Sequence, residues 1–293
     1  MPRCRGPAAA GRAVSHGEPS LAQRAAALLG ARLTRATAIA GGDLSAVVAI
    51  DLDDGRVAIV KTGPSPVIEA RMLEVIAATG APAPAVFACD DAVLVLERLP
   101  GLSRIEDAWR DLGSVLAKLH AARCDADASH ATPRYGWHAD YAFGEVAIDN
   151  AWTDTWPEFW AERRLLDQLS FLPRTLSARI ESLARDLANR LPADPPAALL
   201  HGDLWAGNIL VAGTRISGLI DPACYYGDAE VDFAMLRLFS RPGPELLDAY
   251  GTLRADHEER LPVYQLWPAI VHFRLFGRAY ASMVERMLSA AGV

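Results

Sequence analysis

Eight consecutive residues, His201-Gly202-Asp203-Leu204-Trp205-Ala206-Gly207-Asn208, set an acid five positions before an amide on a glycine-containing stretch. An apolar run, Ile209-Leu210-Val211, follows at once, and a second, Ile216 to Ile220, ends in Asp221. Transfer of a phosphoryl group to an alcohol asks for such parts. One carboxylate orients the hydroxyl and takes its proton, while an amide and a second carboxylate hold magnesium. The order strand, turn, strand, acid predicts a hairpin turning near Thr214-Arg215, in which 208 and 221 face each other across the ladder. Asp203 is then the candidate base, and Asn208 and Asp221 are the candidate metal ligands. The plain alternative is a surface turn with incidental acids. It suits an isolated Asp-x-x-x-x-Asn better than this ordered series. A zinc-hydrolase role for His201 and Asp203 is the weaker reading, because no further histidine stands nearby at ligand spacing.

Other chemistry-bearing residues lie earlier. Val57-Ala58-Ile59-Val60-Lys61 reads as a strand that carries Val57, Ile59 and Lys61 on one face, so the lysine can end in a cleft. Glu69, one turn into the next helix, is its candidate ion-pair partner in an anchor for nucleotide phosphates. Each residue alone would read as solvated. Together, after a hairpin and ahead of the Asp203 loop, they read as functional. Gly41 and Gly42 could let backbone amides approach phosphate, although a simple hairpin turn explains them equally well. No Walker lysine motif occurs. Asp232, near the start of a helix, reads as structural, either as a cap or as a brace reaching back to the Asp203 loop.

The elements that must position these groups are legible in outline. Leu21 to Leu33 reads as a helix, 38–50 as strand, glycine turn, strand, and Asp53-Asp54-Gly55 as a hairpin turn. Ser65 and Pro66 open a helix that runs to about Thr79 and stops at Gly80. Val93 to Leu96 is a strand, and Glu97-Arg98-Leu99-Pro100-Gly101 reads as a linker. Beyond it the pattern is helical: Ile105 to Ala122, Thr155 to about Leu172 behind a capping-box signature, Ser177 to Leu191, Glu230 to Phe239, Pro244 to Arg254 and Pro262 to Leu288. A short strand delivers His201. Strands early and helices late predict an α+β chain of two lobes around a cleft, with residues 21–98 as a nucleotide-binding lobe and 99–293 as a catalytic and substrate lobe.

The aromatic stretch Tyr135, Trp137, Tyr141, Phe143, Trp152, Trp156, Phe159 and Trp160 should be mostly core. One or two of its rings could stack on a sugar, but Trp205, inside the loop, is the stronger substrate candidate. His120, His130, His138 and His272 show no ligand spacing and read as structural or surface.

Bulk properties bound the rest. At 293 residues, half of them apolar, the chain can bury a sizeable core. A net charge of −7 argues against a nucleic-acid partner. Cys4, Cys89, Cys124 and Cys224 are scattered, which fits a reducing, cytoplasmic setting. No stretch is long and apolar enough to span a bilayer. Residues 1–20 are rich in Ala, Gly, Arg and Pro, lack an apolar signal core, and read as a disordered tail, compatible with a start codon assigned too early.

Asp-x-x-x-x-Asn is the spacing of the protein-kinase catalytic loop, and a narrower likeness can be named. The chain resembles the fructosamine kinase (ketosamine kinase) family, a branch of the protein-kinase-like fold. The likeness rests on His201-Gly202-Asp203-Leu204-Trp205-x-Gly207-Asn208, Asp221-Pro222-Ala223, Tyr226-Gly227-Asp228, the Tyr135-Gly136-Trp137 to Trp152 stretch, and Glu162-Arg163-Arg164-Leu165. It implies an ATP- and Mg2+-dependent kinase acting on the sugar of a free or protein-bound ketosamine, whose phosphate then decomposes and frees the amine. It implies Asp203 as base, Asn208 and Asp221 on magnesium, Lys61 with Glu69 as phosphate anchor, and Glu97 to Leu99 as a hinge meeting adenine through its backbone. Aminoglycoside and choline kinases share the general loop and are the nearest alternative. Where some relatives carry a cysteine after the paired glycines, this chain has Asp43.

Overall fold

Ser20 opens the first helix, α1 (Leu21–Leu28), with a capping box. Its hydroxyl accepts from the Gln23 amide at 3.3 Å, and the Gln23 side chain accepts from the Ser20 amide at 2.9 Å. The computed structural model describes residues 20–39, 45–122 and 134–293. The expected tail before Ser20 and the pair Gly41 and Gly42 therefore lie outside the described residues, as does His130. α1 is shorter than its apolar run suggests. At Gly30 the chain turns left-handed, with φ of 66°, and Leu33 begins a strand instead of ending the helix.

Five strands, β1 (Leu33–Ala38), β2 (Val47–Leu52), β3 (Val57–Lys61), β4 (Val86–Cys89) and β5 (Leu94–Glu97), form one antiparallel sheet in the order β1-β2-β3-β5-β4. α2 (Pro66–Ala78) links β3 to β4. Strand period 2 gives the sheet two apolar faces. Ile50, Leu52, Ala58, Val60, Val93 and Val95 pack under Ala22, Ala25 and Ala26 of α1. The intervening Leu94 and Leu96 meet Ala70 and Leu73 of α2 on the other face. Lys61 belongs to that second face, so the alternation that buries the sheet also turns its ammonium toward α2.

The rest of the chain is mainly helical and holds the large core. α3 (Trp109–Ala121) follows a 3-10 turn at Ile105–Asp107. β6 (Tyr141–Phe143) and β7 (Val146–Ile148) form a hairpin. The expected helix from Trp156 is α-helical only as α4 (Trp156–Phe159). It widens into a π-helical turn over Trp160–Leu165 and tightens to 3-10 over Leu166–Phe171. The wide turn coincides with the fully buried Arg164. Its guanidinium lies 4.3 Å from the Tyr225 ring centre and 4.6 Å from that of Phe159, and donates to Asn150 Oδ1 and the Asp149 carbonyl. Rings and acceptors together offset part of the desolvation of a buried charge.

α5 (Arg174–Arg190) precedes the short strands β8 (Ala198–Leu200), β9 (Ile209–Ala212), β10 (Arg215–Leu219) and β11 (Tyr225–Gly227). β9 pairs with β10, and β8 with β11. α6 (Glu230–Phe239), α7 (Glu245–Tyr250), α8 (His257–Phe276) and α9 (Ala281–Ala290) complete the chain. α8 starts ahead of Pro262 and carries both Pro262 and Pro268 within it, and Gly277, with φ of 79°, separates it from α9. The interior prolines are tolerated where burial of Tyr264, Leu266, Trp267 and Ile270 outweighs the lost backbone bond. Trp156 and Trp160 are fully buried against α8, donating to Tyr264 Oη at 2.9 Å and to the Val263 carbonyl at 3.2 Å. Among the described residues, no helix is long and apolar enough to cross a membrane.

Candidate active site

β8 delivers His201 into a loop whose backbone is held by Asp232 of α6. The Asp232 carboxylate accepts from the amides of His201 at 2.8 Å and Gly202 at 3.0 Å, and His120 of α3 backs it at 3.1 Å. Burial would raise the Asp232 pKa, but these bonds and the neighbouring histidines hold it below the usual carboxylate value. Of the two structural roles expected for Asp232, bracing the loop is the one found. Gly202 is required by geometry. Its φ is 80°, and a Cβ there would stand 2.0 Å from the Ala223 carbonyl oxygen.

His201 serves the backbone with both ring nitrogens. Nε2–H donates to the Ile220 carbonyl at 3.0 Å, and Nδ1 accepts from the Asp203 amide at 3.3 Å. Burial depresses its pKa, so the ring stays neutral and has no lone pair left for a metal.

The β9–β10 hairpin turns at Gly213-Thr214, one residue earlier than expected, and Ser217 bulges out of register. Asn208 consequently pairs with Ile220, whose amide donates to the Asn208 carbonyl at 3.0 Å, and Asp221 comes next instead of directly opposite. Asp221 adopts φ of 55°, a sparsely populated conformation that aspartate tolerates better than most residues. The β8–β11 pairing and an Ala223 amide bond to the His201 carbonyl at 2.9 Å set the two loops side by side.

Asn208 Nδ2 donates to both the carbonyl and Oδ2 of Asp203, each at 2.9 Å. The Asp203 carboxyl is pushed up to about 7, chiefly by burial and further by Asp221 and Asp232. The Asn208 bond and Lys61 oppose the rise. A carboxyl poised near neutrality is a competent proton acceptor for a hydroxyl.

Lys61 closes the site from the sheet. Its Nζ lies 2.7 Å from Glu69 Oε1 and 2.8 Å from Asp221 Oδ1. Burial would lower the ammonium pKa, but the two carboxylates hold it above the ordinary lysine value. Tyr141, from the β6–β7 hairpin, donates to Glu69 Oε2 at 3.2 Å. A second tie runs from the Cys224 amide to the sulfur of Met72 on α2 at 3.3 Å.

Lys61, Asp203, Asn208 and Asp221 line one cleft of about 880 Å³. Glu97 and Leu99 line it too, beside apolar Val47, Ile59, Leu96 and Ile220. Trp205 stands on the far side, 41 % exposed, with its ring so close over Gly207 that a Cβ there would meet the indole at 2.3 Å. The expected site residues other than Gly41 and Gly42 are therefore brought together.

Tyr141 reads from the sequence as a core aromatic, and its hydroxyl bond to Glu69 carries no spacing signal. The apolar cleft walls carry no separate signal either, since residues at strand or helix period read as core.

Among the described residues, no cluster of three or more His, Cys, Asp or Glu could cage a metal. Magnesium does not ask for such a cage: one or two carboxylates plus substrate phosphates and water suffice. The Asp221 carboxylate, 42 % exposed toward the cleft, and the Asn208 amide oxygen, left over once Nδ2 is committed, are hard donors of the right kind.

The sequence profile described as fructosamine kinase matches residues 20–291. The chain belongs to this family. A probable ketoamine kinase of Synechocystis sp. is 34 % identical over 207 residues, covering 67 % of this chain and 66 % of that protein. The aligned part is thus just under two thirds of that relative. The probable ketoamine kinase YniA of Escherichia coli is 34 % identical over 205 residues, 68 % of this chain and 69 % of that protein. The crystal structure of a fructosamine-3-kinase candidate from Thermobifida fusca superposes with a TM-score of 0.81 at 30 % identity, covering 93 % of this chain and 98 % of that one. A gentamicin-bound phosphotransferase, APH(2")-IIa, shares the fold with a TM-score of 0.61 at 17 % identity, over 88 % of this chain and 93 % of that one. The fold of the fructosamine kinase family is accordingly protein-kinase-like, with an antiparallel N-terminal sheet and a helical C-terminal region.

Proposed function

We propose that this protein transfers the γ-phosphoryl group of ATP to a sugar hydroxyl of a ketosamine, an early glycation adduct of an amine, and so takes part in deglycation. The observation that carries the reading is the joining of Lys61 to both Glu69 and Asp221 in the cleft where Asn208 orients Asp203. Membership of the family supports the substrate class.

In this reading Asp203 aligns the acceptor hydroxyl and takes its proton as the new O–P bond forms and the bond to the leaving diphosphate breaks. Lys61, fixed by Glu69, bears on the nucleotide phosphates. Asp221 and the Asn208 amide oxygen would hold Mg2+, which when bound neutralises charge on the transferring group. The walls of Val47, Ile59, Leu96, Leu99 and Ile220 offer an apolar slot for the base, and Glu97 to Leu99 offer backbone groups at its edge. Residues 21–98 then serve as the nucleotide lobe and 99–293 as the acceptor lobe.

An aminoglycoside acceptor fits less well. Among the described residues, the cleft walls supplied by α6 and α8 carry no carboxylate to receive a polycation. The test is mass spectrometry of fructosyl- and ribulosyl-lysine, aminoglycosides and choline, each incubated with protein and Mg-ATP. Gain of one phosphate on the ketosamines is expected. Phosphorylation confined to an antibiotic or choline would overturn the reading.

A further inference from the structure

Past Asp203 the cleft ends in an aromatic wall. Trp205 and Phe239 stand with ring centres 6.5 Å apart, Phe239 and His272 4.9 Å, His272 and Tyr280 5.2 Å, and Phe276 and Tyr280 5.6 Å. The five rings come from the catalytic loop, α6, α8 and the turn after α8, and all line the same cleft as Asp203. Trp205, Phe239 and Phe276 are 41 %, 39 % and 42 % exposed. Single exposed aromatics need no explanation, but three gathered at the mouth of a cleft mark a binding surface.

The wall is also uncharged. His272 donates from Nδ1 to the Pro268 carbonyl at 2.8 Å, which leaves Nε2 as a lone-pair acceptor. Burial keeps the ring neutral. Among the described cleft-lining residues of α6, α8 and the following turn, none is Asp, Glu, Lys or Arg.

The geometry points to a second subsite here: the aromatic wall seats the amine substituent of the acceptor and selects ketosamines of apolar or aromatic amines over those of charged amino acids. This rests on the ketosamine-kinase reading. An aromatic substituent would stack on the rings and leave water. A free α-carboxylate or α-ammonium would lose its hydration without a charged partner.

The test compares kcat/KM for ribulosyl and fructosyl adducts of benzylamine, glycine and lysine with the full-length protein and Mg-ATP. The benzylamine adduct should exceed the glycine and lysine adducts by roughly 10-fold or more, the discrimination a small apolar pocket gives. Phe276→Ala should shrink that ratio several-fold. Phe276→Leu, which keeps apolar bulk, guards against a folding artefact and should shrink it less. Equal kcat/KM for all adducts, preference for lysine, or a ratio unmoved by Phe276→Ala overturns the wall's role and leaves the kinase reading standing. No phosphorylation of any adduct overturns the kinase reading, and this proposal with it.

Discussion

Asn208 grips Asp203 twice, its Nδ2 donating to the backbone carbonyl and to the carboxylate Oδ2, each at 2.9 Å. One side chain thus sets both the loop and the group it presents. Asn208→Ala removes the grip together with the amide oxygen assigned to the cation. Turnover should fall by about 100-fold, the usual penalty for losing alignment by an ångström, and the Mg2+ dependence should shift to higher concentration. Steady-state rates across a magnesium series check this; a loss under threefold would sink the assignment.

Asp203→Asn separates activity from stability. The rate should drop on the order of 10²–10⁴-fold. Stability should move the other way. The folded pKa, about 7, lies above the unfolded value, so ionising Asp203 penalises the native state. That penalty is full above pH 7 and gone below about 4. The variant should therefore melt roughly 2–4 °C above the parent at pH 8, and the gain should fade as pH falls through 7 toward 4. Melts at pH 8 and 5 without magnesium measure it, and equal differences at both would contradict the pKa.

Tyr141→Phe tests the tie to Glu69. Loss of one hydrogen bond of about 1 kcal/mol should raise the KM for ATP roughly 5-fold, with kcat changed less. If the KM for ATP stays at the parent value, the Tyr141 bond does not position Lys61 and Glu69.

Asp232→Ala should be chiefly a stability variant. It leaves the His201 and Gly202 amides without their acceptor and removes the carboxylate beside His120. Breaking such a buried pair costs about 3 kcal/mol or more, so melting should drop by roughly 6–12 °C. Calorimetry decides, and Asp232→Asn, which keeps an acceptor for one amide, should lose less.

Much of this was legible before any coordinates. β3 runs Val57–Lys61 and α6 runs Glu230–Phe239, as the period-2 and period-3.6 patterns indicate. Other elements hid for physical reasons. Gly30 ends α1, but the apolar residues beyond it masked that stop. β4 (Val86–Cys89) is only four residues long, behind prolines that read as loop. The α4 segment obeys helical spacing while its backbone changes pitch around Arg164, and no single-sequence pattern reports that. The register of 208 against 220 depends on the Ser217 bulge, which the letters Ile-Ser-Gly do not declare. Val231, Met235 and Phe239 recur every four residues, which signals burial, yet all three line the cleft. Periodicity says that a face is covered, not whether protein or ligand covers it.

The two ties on α2 carry a last consequence. With Tyr141 on Glu69 and Cys224 on Met72, the helix is tied at two points to the helical part of the chain. A change that frees α2 from either tie should therefore reach Glu69, and through it the ammonium of Lys61.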